Sequence, residues 1–155
     1  MPIKAADILT VDRITVDEND PVLDVAERML ANGISSVPVV CREGSQEVLV
    51  GILSEHDILR GLAAGYLHRD PALKADDLMQ RHPDCVGRET GIRELAELLM
   101  RRGRRHLPVV DGRFLAGVVS RRDVLRALVE QQAEGARVSD GRPEPAQFQA
   151  VGPKP

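Results

Sequence analysis

Gly51-Ile52-Leu53-Ser54-Glu55-His56-Asp57 and Gly117-Val118-Val119-Ser120-Arg121-Arg122-Asp123 are two versions of one heptapeptide. Each reads as a buried strand that ends at a serine and gives way to a helix, with a carboxylate three residues further on. From Gly51 to Leu62, six of twelve positions are identical to their partners 66 residues later. That identity marks an internal repeat.

Upstream the repeat continues at an offset of 70, which places Asp7 on Asp77, Val16 on Val86, Ala26-Glu27 on Ala96-Glu97 and Gly33 on Gly103. Pro38-Val39-Val40 falls on Pro108-Val109-Val110. The offset changes because the first copy carries the longer segment Cys41 to Glu47 where the second has Asp111-Gly112, a hairpin signal. In the first copy Val22, Val25, Ala26, Met29 and Leu30 follow helical spacing, as do Ile92, Leu95, Ala96 and Leu99 in the second. Asp20-Pro21 and Thr90 are the expected N-caps, and Gly33 and Gly103 the expected left-handed C-terminal residues. The second helices carry Ile58, Leu59 and Leu62, or Val124, Leu125, Leu128 and Val129.

The predicted fold class is α/β (α+β): two pseudo-symmetric repeats, each a small sheet packed with two helices and led by a short strand near Ile14–Val16 or Cys85–Val86. The expected divisions are residues 1–69, 70–132, and a disordered tail over 133–155 rich in glycine and proline. Leu67 to Pro71 reads as the linker.

Composition narrows the function. Of 155 residues, 43% are hydrophobic but only 2% aromatic, so the core is aliphatic and base stacking on aromatic platforms is unavailable. A net charge of −3 gives no pull toward nucleic acid or anionic lipid. Cys41 and Cys85 form no CxxC pair, and His56, His68 and His82 have no metal-ligand spacing; no metal is expected. No catalytic triad or carboxylate pair is evident, so no catalytic residues are assigned and no enzyme is expected. The chain begins without a signal-like apolar run, and a cytoplasmic setting without a membrane partner is the expectation.

Two segments carry the candidate chemistry. Ser54 with Asp57, and Ser120 with Asp123, match a capping box, which is by itself sufficient reason for the pattern. Glycines 51 and 117 inside the strands imply close approach by another group, backbone or ligand. Before each Pro-Val-Val strand lie Ile34-Ser35-Ser36 and Arg104-Arg105-His106, the second able to grip a phosphate.

These residues together resemble the CBS-domain family over about Ala5 to Gln131, as a tandem pair often called a Bateman module. The resemblance implies an intertwined pair with two clefts that hold adenosine-containing ligands. The aspartate would take ribose hydroxyls, and residues before the proline would contact phosphate or base. One cleft would then use Ser120, Asp123, Arg105 and His106, with Ile34 and Ser35 beside the adenine. The other would use Ser54, Asp57, Ser35 and Ser36, with Thr90, Arg104 and Arg105 opposite. Arg104 and Arg105 stand where the family often has small or apolar residues, so the Ser120/Asp123 cleft is expected to be the tighter. The implied function is a stand-alone regulatory module with AMP or ATP as regulatory ligand, no required cofactor, a homodimer through its helices and a further target protein. A ligand-free scaffold, or a sensor of S-adenosylmethionine, NAD or a cyclic dinucleotide, are the alternatives.

Overall fold

The computed structural model describes residues 2–11, 13–101 and 104–138, the side chains of 137 and 138 excepted. The first half contributes α1 (Ala5–Ile8), β1 (Val16–Asp17), α2 (Val22–Asn32), β2 (Ser36–Glu43), β3 (Gln46–Ser54), α3 (Glu55–Ala63) and α4 (Tyr66–Arg69). The second contributes α5 (Ala75–Leu78), β4 (Gln80–Arg81), β5 (Val86–Gly87), α6 (Ile92–Met100), β6 (His106–Asp111), β7 (Phe114–Ser120) and α7 (Arg121–Val138).

Each half pairs a short parallel strand with a hairpin: β1 on β2 and β3, β5 on β6 and β7. The two small sheets join through Val48 and Phe114 into the order β1-β2-β3-β7-β6-β5, with β4 on the side of β3. Leu49 N–H donating to the Arg113 carbonyl at 3.1 Å and an Arg113–Glu43 ion pair reinforce the junction.

The halves exchange their leading segments. Ala5 is buried with Val86, Leu95, Leu99, Leu107, Val109, Val119 and Val124, a core otherwise drawn from the second repeat. Ala75 and Met79 in turn complete the first core, with Val16, Val25, Met29, Val37, Val39 and Leu53. Backbone hydrogen bonds repeat the exchange: Ala5 N–H to the Thr90 carbonyl and Ala75 N–H to the Asp20 carbonyl, both at 2.8 Å. The cores are aliphatic throughout, as the composition requires.

Several local expectations need correction. Asp20 does not cap α2; its carboxylate accepts from Asp17 N–H at 2.9 Å, and Pro21 holds the cap position with no side-chain bond. Gly91, not Thr90, caps α6. The extra residues from Cys41 to Glu47 lengthen the strands instead of forming a long loop, so β2 and β3 pair as far as Glu43 and Gln46 around a turn containing Gly44 at φ 61°. Part of the expected linker is the helical turn α4. Gly33 does close α2 in the left-handed region, at φ 62°. Helix α7 continues to Val138. Gly103 and residues 139–155 of the expected tail lie outside the described residues.

Six of the sixteen apolar positions assigned to helices do not face a core. Leu30 is exposed, and so are Leu59 and Leu62 on α3 and Leu125, Leu128 and Val129 on α7.

Candidate functional site

Both Ser-x-x-Asp motifs are capping boxes, and each hydroxyl does two jobs. Ser54 Oγ accepts from Asp57 N–H at 3.2 Å and donates to Asp57 Oδ2 at 2.8 Å, while Ser54 N–H also donates to that oxygen at 2.9 Å. Ser120 and Asp123 repeat all three contacts at 3.2, 2.8 and 2.7 Å. Capping therefore fixes one carboxylate oxygen in each copy. The second oxygen distinguishes them. Asp57 Oδ1 accepts from Arg60 Nη2 at 2.5 Å and Gln80 Nε2 at 3.2 Å, and the side chain is fully buried. Asp123 Oδ1 has no hydrogen-bond donor among the described residues; Arg126 Nη1 stands 3.6 Å away.

Asp123 borders a cavity of about 280 Å³ together with Ser120, His106, Ser36, Ile34 and Arg13. Ile14, Ile52, Val118, Pro38 and Pro108 make its walls mainly apolar. Two polar atoms of residues lining it, Arg13 Nε and His106 Nδ1, are buried without a hydrogen-bond partner among the described residues, an arrangement that costs roughly 1–3 kcal/mol per group unless a ligand or water relieves it. The Arg13 guanidinium is otherwise held by the carbonyls of Val11 at 2.8 Å and Leu115 at 3.1 Å, and by Glu47 at 3.5 Å. Burial pushes the His106 imidazole below its ordinary value of about 6.5; Asp123 opposes the shift and Arg105 adds to it. The imidazole is therefore neutral at pH 7.

A second cavity of about 480 Å³ adjoins the first, sharing Ser36, Ile52 and His106. Its other walls include Ser35, Ser54, Glu55, His56, Gln80, Arg104 and Arg105. Arg104 is paired with Asp84 at 3.0 Å, and Arg105 makes no ion pair among the described residues. Asp57 does not border this space.

The expected partition of residues thus changes. Ser120, Asp123, His106 and Ile34 gather at the first cavity, where Ser36 also lies. Arg105 and Ser35, assigned to that cleft, line the second instead, beside Ser54 and Arg104. Thr90 borders neither cavity; its backbone carbonyl docks α1. Sequence reasoning missed Thr10, Arg13 and Gln80. The repeat itself held the signal: at the offset of 70, Thr10 corresponds to Gln80 and Arg13 to Pro83, each pair bordering opposite cavities.

The strand glycines serve backbone, not ligand. A Cβ on Gly51 would meet Met79 Sδ at 2.6 Å and the Gln80 carbonyl at 2.8 Å. On Gly117 it would meet Leu9 Cδ1 at 2.5 Å and the Thr10 carbonyl at 2.8 Å. The exchanged segments thus cross the sheet where only glycine admits them.

A swapped pair of strand–hairpin–helix repeats with adjacent clefts between them is the arrangement of a CBS pair. The CBS domain model matches residues 5–64 and 75–130, and the chain belongs to the CBS-domain family. It is similar to the uncharacterized protein YlbB of Bacillus subtilis, 28% identical over 88% of this chain and 90% of that one. It is 31% identical to inosine-5'-monophosphate dehydrogenase of Methanocaldococcus jannaschii over 90% of this chain, but this covers only 26% of that enzyme. Among solved structures, CBSX2 in complex with AMP matches with a TM-score of 0.71 and 26% identity, over 83% of this chain and 98% of that one. Among the described residues no helix is long and apolar enough to cross a membrane.

Proposed function

We propose that this chain is a regulatory module, not an enzyme, that binds an adenine nucleotide of the AMP, ADP and ATP class and passes its state to a partner protein. The observation that carries this reading is the Oδ1 of Asp123, which accepts no hydrogen bond among the described residues and faces Arg126 at 3.6 Å, at the edge of a largely apolar cavity. A carboxylate oxygen with open lone pairs suits the ribose hydroxyls. Ile14, Ile34, Ile52 and Val118 offer a base aliphatic packing in place of aromatic stacking, and Ser36 and His106 offer hydrogen bonds to a phosphate. The AMP complex of CBSX2 supports the ligand class.

Calorimetry with adenosine, AMP, ADP, ATP, S-adenosylmethionine, NAD and cyclic dinucleotides tests it. Adenine nucleotides should bind more tightly than adenosine. A preference for another member of the panel changes the ligand class, and no binding by any of them leaves the scaffold reading. The exposed apolar positions of α3 and α7, which are equivalent in the repeat, support a homodimer in which these helices meet their copies. Sedimentation of the full chain distinguishes that dimer from a monomer.

A further inference from the structure

The two clefts differ in a way that assigns them different tasks. A carboxylate offers about four acceptor positions, and Asp57 uses its own on Ser54 N–H, Ser54 Oγ, Arg60 and Gln80. With its side chain fully buried, it has nothing left for a ribose. The sealing residue is specific to this half: Gln80 reaches Asp57 where the shorter Thr10 donates nothing to Asp123. Arg104 further replaces, in the repeat, the Ile34 that lines the first cavity, so the second offers a base only Ile52 and Pro83 against the several aliphatic walls of the first.

What the second cavity does have is positive charge. Arg105, unpaired among the described residues, stands on its wall with Arg104, His56 and the hydroxyls of Ser35, Ser36 and Ser54. Glu55 is the carboxylate on the same wall, and Asp84 is paired with Arg104. Ser36 and His106 belong to both cavities, so a ligand that passes them leaves the first and enters the second. The first, at about 280 Å³, lies just below the roughly 300–1,000 Å³ typical of ligand pockets. It suits a nucleoside better than a nucleoside with a long phosphate chain.

We infer that the second cavity, beside Ser54, is not a second nucleoside site but receives the outer phosphates of the nucleotide seated against Asp123, so that the chain binds one nucleoside polyphosphate across both clefts. This rests on the nucleotide reading above. Arg105 contributes charge-assisted hydrogen bonds to those phosphates, and a monophosphate forgoes them.

The test is calorimetry of AMP and ATP on the full chain in the presence of EDTA, with melting curves as a control for folding. One nucleotide should bind per chain, ATP about tenfold or more tighter than AMP, and Arg105→Ala should bring the ratio of the two affinities close to one. Two nucleotides per chain, or an ATP preference that survives Arg105→Ala, overturns this inference and leaves the nucleotide reading intact. Absence of binding by both AMP and ATP overturns that reading and this inference with it.

Discussion

Gln80 Nε2 lies 3.2 Å from Asp57 Oδ1, across 23 residues of sequence, whereas Thr10 in the equivalent place leaves Asp123 Oδ1 open. The Gln80 amide and the closer arginine, Arg60 at 2.5 Å against Arg126 at 3.6 Å, separate two otherwise matching capping boxes. The same carboxylate is a structural keystone in one repeat and an available acceptor in the other.

Asp57→Ala and Asp123→Ala should therefore fail differently. Loss of either cap costs about 1 kcal/mol, but Asp57→Ala also loses the charge-assisted hydrogen bonds from Arg60 and Gln80 and should cost about 2–3 kcal/mol in all. Asp123→Ala should abolish high-affinity nucleotide binding, while Asp57→Ala should spare most of it. Denaturation and calorimetry of both variants check this; equal losses of stability would mean that Gln80 contributes nothing to Asp57.

His106 makes binding depend on pH. Its imidazole is depressed by burial, so the unfolded chain takes up its proton first as pH falls through about 6.5. The stability this group contributes is present above that value and declines below it, until the folded imidazole also titrates. A phosphate beside the ring favours the protonated form and raises its pKa. Nucleotide affinity should accordingly rise between pH 7.5 and 6.0, with proton uptake visible as a buffer-dependent enthalpy. His106→Asn should remove the uptake; uptake that persists in the variant belongs to another group.

Gly51→Ala and Gly117→Ala should each destabilise by about 1–3 kcal/mol, because the new methyl meets a backbone carbonyl at 2.8 Å in both places. Urea denaturation provides the measurement. A neutral result at either site would show that the crossing segment shifts freely away from the strand.

Ala5→Glu places a charge in a fully buried position and should cost several kcal/mol. The damage should appear in the second repeat, although residue 5 precedes the first. Hydrogen exchange read at Leu95, Leu107 and Val109 should accelerate more than at Val25, Val39 and Leu53. The opposite pattern would contradict the exchange of leading segments between the cores.

The sequence alone determined the repeat, the strand-to-helix transitions at Ser54 and Ser120, the left-handed Gly33 and the aliphatic core, because these depend on residue periodicity and on contacts within three or four positions. The resemblance carried by those motifs named the family. Even within short range the expected caps at Asp20 and Thr90 are not made: the Asp20 carboxylate accepts from Asp17 N–H, and Gly91 takes the cap position of α6. What the tertiary structure decided was longer in range: Ala5 entering the second core, Gln80 sealing Asp57, and Arg13 reaching the Asp123 cavity from a loop with no motif. Arg105 and His106 illustrate the difference most simply. Both border the second cavity, but only His106 also reaches the first, because which cleft a side chain meets depends on how the two repeats pack and not on its neighbours in sequence.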